Sequence, residues 1–378
     1  MYNNVNSGWA TKSLPAELRL LIECCQANFA QHRQKKSTGH QAHVDWPRFW
    51  AQAQRHRVEG LAWHGLHALD IQPPEKFARS LLAAARQIAE HGLRAAFEAK
   101  RIQEFFATEG VPIIFLKGLA VGKLAYGDAF RKASSDIDFL VPLDQVSRAG
   151  SHLRTLGYRA VLPKYDDDTT IERWHSVSKE SMWVDRENTI CLELHSALTD
   201  HQDLIRTIGI GSPLQNVPIM PGIALATLAN DELIAYLCVH GASSAWFRLK
   251  WIADLAALLD GASEVELGRL LCRARSLGAG RSAQQALLLA CYMFPLLPFD
   301  TCLARELRRD PIATWLARRS LAQLLAPEPT KRRLGTFTIH LTQLMLVPGL
   351  QSALREFRRQ LRHRAHNKGY GGATEIRH

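Results

Sequence analysis

Two aspartates one residue apart, Asp136 and Asp138, flank Ile137 and run into the apolar stretch Phe139-Leu140-Val141. In a strand, successive side chains alternate between faces, so both carboxylates project from one face and Ile137 and Phe139 from the other. Carboxylates held side by side on a rigid element repel each other unless a cation sits between them. Mg²⁺ suits that place, because it takes hard oxygen ligands and is held by one or two carboxylates plus substrate phosphates. An isolated D-x-D also fits two solvated acids at a strand end, so the flanking elements decide. Upstream, Pro112-Ile113-Ile114-Phe115-Leu116 reads as a short buried strand that stops at Lys117-Gly118. Leu119 to Tyr126 reads as a short helix, ended by Gly127-Asp128. A glycine turn opening a helix leaves backbone N–H groups free to face an anion. Lys117 and Arg131 add positive charge, and Ser135 stands next to the first acid. Phosphate binders beside paired metal ligands describe a site for a nucleoside triphosphate.

With these elements in place, the stretch resembles the DNA polymerase β-like nucleotidyltransferase superfamily, whose pattern is a glycine turn followed by a strand bearing D-x-D or D-x-E. It is most similar to a bacterial family with an L-K-G turn, a Y-G-D step, an arginine and a D-I-D strand. Those stand here as Leu116-Lys117-Gly118, Tyr126-Gly127-Asp128, Arg131 and Asp136-Ile137-Asp138. Leu192-Glu193-Leu194-His195 and the run from His240-Gly241 through Trp246 to Asp254 also resemble it, so the likeness covers most of residues 45 to 360. The superfamily's glycine-serine pair is Gly118-Leu119 here, without the hydroxyl. The resemblance implies an α+β fold, a small mixed sheet flanked by N- and C-terminal helical segments. It also implies transfer of a nucleoside monophosphate from a triphosphate donor, with two Mg²⁺ ions. The acceptor it implies is a small molecule, sugar or peptide at least as readily as RNA.

The superfamily needs a third carboxylate on a neighbouring strand. Ser181 to Asp185 and Thr189 to His195 read as a hairpin around the polar turn Arg186-Glu187-Asn188. In its second strand Ile190, Leu192 and Leu194 share one face, and Cys191, Glu193 and His195 the other. Glu193 is therefore the candidate third metal ligand or proton acceptor, and His195 either a supporting or a structural histidine. Lys250 and Asp254 stand four apart on one helical face, which fits an ordinary ion pair or a phosphate-binding lysine. His240 joins them as a candidate supporting residue, whereas Trp246, Phe247, Leu249, Trp251 and Ile252 read as core. The candidate nucleotide-binding set is thus Lys117, Gly118, Arg131, Ser135 and Lys250. A non-catalytic regulatory or antitoxin-like protein on the same fold is the alternative, supported by the missing serine and opposed by three acids on one face.

The 378 residues, 47% hydrophobic, allow two or three parts with a full core. The longest apolar run, Ala286 to Phe299, contains Pro295 and Pro298 and is too short to span a bilayer. No signal-peptide pattern opens the chain, and the seven cysteines include no C-x-x-C, so a reduced cytoplasmic protein without membrane association is expected. Net charge is +11, concentrated late: residues 355 to 378 carry seven Lys/Arg against two Glu, and Lys331-Arg332-Arg333 lies just upstream. Without interleaved aromatics this end reads as a solvated basic face rather than a nucleic-acid site.

Residues 15–34, capped by Ser13, and 46–69 read as amphipathic helices separated by the polar stretch Lys35 to His43; 75–109 reads as one long helix or a close pair. Val146, Ala149, Leu153 and Leu156 mark a helix that Gly157 ends. From Pro218 onward the pattern reads helical, with 335–347 ambiguous. The expected organisation is an N-terminal helical segment (1–100), a core (101–205), a C-terminal helical domain (206–365) and a disordered basic tail (366–378).

Overall fold

The computed structural model describes residues 14–30, 44–165, 167–201, 203–294, 296–298, 301–326 and 335–370, with 335–339 and 363–370 as backbone only. Four helices precede the first strand: α1 (Ala16–Gln26), α2 (Trp46–His56), α3 (Glu59–Ala68) and α4 (Glu75–Thr108). The expected cap Ser13 and the polar stretch Lys35 to His43 lie outside the described residues. Helix α1 stops at Gln26, short of residue 34, where Asn28 Nδ2 donates to Cys24 O and Leu61 O and ties the turn to α3. The stretch 46–69 is two helices rather than one, because Arg57 adopts φ 54 in the left-handed region and reverses the chain. Helix α4 is a single element of 34 residues that starts after Pro73-Pro74. Its buried positions Ala95, Ala99, Ile102 and Phe106 recur at helical spacing along one face.

The chain then runs β1 (Ile114–Phe115), α5 (Leu119–Tyr126), β2 (Ile137–Leu140), α6 (Val146–Thr155), β3 (Arg159–Leu162), α7 (Asp168–His175), β4 (Glu180–Val184), β5 (Cys191–His195), β6 (Leu214–Met220) and β7 (Ile223–Leu228). The strands form one sheet in the order β3-β4-β5-β2-β1-β7-β6, with β2–β5 and β1–β7 parallel and the other neighbours antiparallel. Phe115, Ile137, Phe139, Leu192 and Leu194 pack on α4 and on Ala149 and Leu153 of α6. Ile114 and Leu140 point the other way, into a second core shared with the later helices. The fold is α+β, as expected. Residues 214–228 correct the helical reading after Pro218: they form a hairpin turned at Pro221-Gly222, with Gly222 at φ +77, and β7 extends the sheet beside β1.

Eight helices complete the described chain: α8 (Asn230–Ser243), α9 (Leu249–Leu258), α10 (Glu264–Ser276), α11 (Gly280–Met293), α12 (Cys302–Leu307), α13 (Pro311–Leu325), α14 (Gly335–Leu344) and α15 (Leu350–Tyr370). The ambiguous stretch 335–347 is thus largely helical. Helix α15 continues through Tyr370, into the segment expected to be disordered, and 371–378 lie outside the described residues. Among the described residues no helix is long and apolar enough to cross a membrane.

Candidate active site

The parallel pairing of β2 with β5 builds the centre of the site. Its register sets Asp138 opposite Glu193 and Leu140 opposite His195, so acids from two separate sequence segments lie side by side on one sheet face. Asp138, Glu193 and His195 are all buried. His195 Nε2 lies 3.3 Å from Asp138 Oδ1 and 3.4 Å from Glu193 Oε2, while its buried Nδ1 has no hydrogen-bond partner. Lys117, at the end of β1, places Nζ 2.6 Å from Asp138 Oδ1 and 3.8 Å from Glu193 Oε2. Burial works against the lysine's charge, yet Asp138, Tyr236 and Glu193 hold it well above the ordinary lysine value. Burial likewise works to protonate Glu193, but Lys117 and a hydrogen bond from His195 hold its carboxyl well below the usual range.

One ligand atom each from Asp138, Glu193 and His195 falls within 4.8 Å of the others, so the three could hold a metal ion. The two carboxylates offer the hard oxygens that Mg²⁺ takes, whereas the full set with the imidazole suits a divalent transition metal; the acids' charge already draws one cation, the Lys117 ammonium. Asp136 stands at the start of β2, half-buried, with Oδ2 accepting from Ser135 Oγ at 3.3 Å. Ser135 in turn accepts from Arg57 Nη1 at 3.3 Å. Gly118 opens α5 at φ 60, ψ −119, and an added Cβ would stand 3.0 Å from Ser134 Oγ, so only glycine fits the turn without strain.

These residues line a cleft of about 320 Å³ between the sheet and the later helices. The cleft takes in Lys117, Gly118, Ser135, Asp136, Asp138, Glu193, His240, Lys250 and Asp254 from the sequence expectations. His195 lies beneath its acids rather than on its surface, with no exposed area. Arg131 is not part of the lining; it reaches Asp128 at 3.5 Å and Asn28 Oδ1 at 3.4 Å, holding the loop after α5 against the N-terminal helices. Its neighbour Lys132 faces the cleft instead. Of the two readings of Lys250 and Asp254, the ion pair between them does not form. Asp254 accepts from Tyr126 Oη at 2.9 Å and pairs with Lys132 Nζ at 3.3 Å, which frees Lys250 for the cleft. Burial and the nearby Lys132 push Lys250 down to about 7. Burial, then Lys117, keeps His240 well below its ordinary value.

Several lining residues were not singled out in the sequence. Arg57, Lys132, Lys179 and Arg248 bring positive charge from four separate segments. Helix α15, expected to present its arginines to water, sends Glu356 and Arg359 into the lining, bonded to each other at 2.7 Å. Nothing local marks these positions, because the tertiary fold gathers them.

Residues 42–295 match the model of a family described as an uncharacterised nucleotidyltransferase. No curated protein matches the chain.

Proposed function

The chain belongs to that nucleotidyltransferase family, and so to the transferases of phosphorus-containing groups, and we propose that it moves a nucleoside monophosphate from a triphosphate to a small acceptor in a Mg²⁺-dependent reaction. The acceptor oxygen attacks the α-phosphorus and gives up its proton to water in the cleft, the bond to the bridging β-phosphate oxygen breaks, and pyrophosphate leaves. The observation that carries this reading is the β2–β5 register, which sets Asp138 and Glu193 together under Lys117 in a cleft ringed with cations. Asp136, Asp138 and Glu193 would hold the two-metal centre, which would supply charge neutralisation at the reacting phosphate. Lys117, Lys132, Lys250, Ser135 and the Gly118 turn would bind and orient the triphosphate, which is most of what such transfer asks of a protein. The lowered pKa of Glu193 suits a ligand better than a store for the acceptor's proton. His195 and Asp254 would act by positioning, His195 beneath the acids and Asp254 by holding Lys132. A cleft of about 320 Å³ holds little beyond one nucleotide, which favours a small molecule, sugar or peptide end over folded RNA.

Calorimetry with ATP, GTP, CTP and UTP, with and without Mg²⁺, tests the reading directly. Metal-dependent binding of a triphosphate is expected. No binding of any of the four would reject it in favour of the non-catalytic alternative.

Lys250 adds a pH dependence. Its ammonium form binds phosphate, and in the free protein that form is lost as pH rises through about 7 rather than near 10.5. Triphosphate affinity should therefore fall above pH 7, by up to about ten-fold per unit over the first units. Lys250→Arg keeps its charge throughout and should flatten the slope. An unchanged slope in that variant would assign the dependence to another group.

A further inference from the structure

The elbow between α8 and α9 carries the sequence Trp246-Phe247-Arg248-Leu249-Lys250-Trp251, expected to be core on account of its aromatics. The structure divides it. Trp246 and Leu249 are buried, whereas Phe247 and Trp251 are half-buried and line the cleft with Arg248 and Lys250. The elbow is strained to achieve this: Ala245 and Trp246 both take φ 51, the left-handed region that side chains rarely adopt. Gly241 permits it, since any Cβ there would stand 2.4 Å from Trp246 Cη2. The elbow is also anchored, with Arg248 Nη1 donating to Arg55 O at 2.9 Å and Leu249 N–H donating to His56 Nδ1 at 3.3 Å. Persistent backbone strain held by surrounding contacts is a feature of ligand clamps.

Phe247 and Trp251 meet edge-on, with centroids 4.8 Å apart and planes at 89°, and His240 meets Trp251 in the same way at 5.6 Å, so the three rings form an aromatic corner in the wall of the cleft. Each ring has a cation over one face: the Arg248 guanidinium lies 5.1 Å from the Phe247 centroid and Lys250 Nζ 6.0 Å from that of Trp251. Aromatic rings interleaved with phosphate-binding cations are how proteins hold a base next to its phosphates. The cleft is partly open and about 320 Å³, a size that fits one nucleotide better than a run of stacked bases.

We infer that Phe247 and Trp251 are the nucleobase platform of the donor site, and that the donor is selected by its π surface, purine over pyrimidine, rather than by its hydrogen-bonding edge. This rests on the nucleotidyltransferase reading above. Beside the elbow the cleft is lined by Ser243 and Ser244, whose hydroxyls donate or accept with equal ease, and by Gln343, whose amide is engaged by Ser243 O and Gln360 Nε2, so none of the three enforces a base edge.

The test compares the binding of Mg²⁺-loaded ATP, CTP and inorganic tripolyphosphate to the full chain and to a Phe247→Leu/Trp251→Leu variant, with circular dichroism as the fold control. In the wild type, ATP should bind more tightly than CTP, and both more tightly than tripolyphosphate. The variant should lose about 10- to 100-fold in ATP affinity and keep its tripolyphosphate affinity. Phe247→Tyr/Trp251→Phe, which keeps both π faces, should restore ATP binding. Equal losses for ATP and tripolyphosphate would show a merely structural role and overturn the inference, as would unchanged ATP binding or a wild type that binds CTP as tightly as ATP. A wild type that binds tripolyphosphate but gains nothing from the base overturns the platform alone. A wild type that binds none of the three overturns the parent reading with it.

Discussion

An Asp136→Ala/Asp138→Ala variant should lose nucleotide transfer by about three orders of magnitude or more, since each removed charge-stabilising group in such a site is worth about 10²–10³ in rate. Both acids line the cleft, Asp136 just before β2 and Asp138 within it, and Asp138 is the carboxylate that Lys117 approaches to 2.6 Å. Without them the chain keeps its cations but has nothing to hold the counter-charge that lets a triphosphate be attacked. Asp138→Asn is the companion variant, because it keeps shape and packing while removing charge. The measurement is transfer of radiolabel from an α-labelled triphosphate, with circular dichroism to confirm folding. A folded double variant that still transfers label would remove the basis for the assignment.

Replacing Lys117 by methionine should have the largest effect on stability. Asp138 and Glu193 are 4% and 6% exposed, and the ammonium between them is their nearest full positive charge. Removing one partner of a buried charge cluster costs about 3–5 kcal/mol, because the remaining charge is stranded away from water. The pH dependence should invert as well. In the wild type the folded-state pKa of Glu193 is lowered, so its contribution is present above the unfolded value of 4.5 and is lost as pH falls below it. In the variant the crowded carboxylates should hold their protons more tightly than in the unfolded chain. Their cost then appears as pH rises and is relieved by acid. Mg²⁺ should relieve it too. Melting curves at pH 5 and pH 7, with Mg²⁺ or EDTA, test both statements. A variant as stable as the wild type in EDTA, and indifferent to Mg²⁺, would show that the two acids do not share a charged site.

What was legible in the sequence was what local spacing determines. Helix α5 runs from Leu119 to Tyr126 because Gly118 and Gly127, both at positive φ, punctuate it. The β4–β5 hairpin and the shared face of Glu193 and His195 follow from period-two alternation. The β6–β7 hairpin carried a usable signal, the Pro221-Gly222 dipeptide, but Pro218 inside the first strand obscured it. The break at Arg57 had no signal, since no glycine marks the left-handed turn there. The cation ring was not legible either. Arg57, Lys132, Lys179 and Arg248 are ordinary surface residue types in their own segments, and their convergence is a product of the tertiary fold. The same holds for Asp254, whose spacing pointed to Lys250 while its partners came from α5 and the loop before β2.

Those partners bear on how far the site could be carved out of the chain. Lys132 and Asp254 are both buried, and Tyr126 completes the knot. A fragment ending at residue 205 would take from Lys132 its ion-pair partner and from the Tyr126 hydroxyl its acceptor. It would also strip β7 from β1, exposing a two-residue strand as a sheet edge. We propose that the sheet that bears the acids and the helix that bears Asp254 unfold together. Shuffling the acid-bearing segment onto another scaffold would require α9 and the β6–β7 hairpin to travel with it.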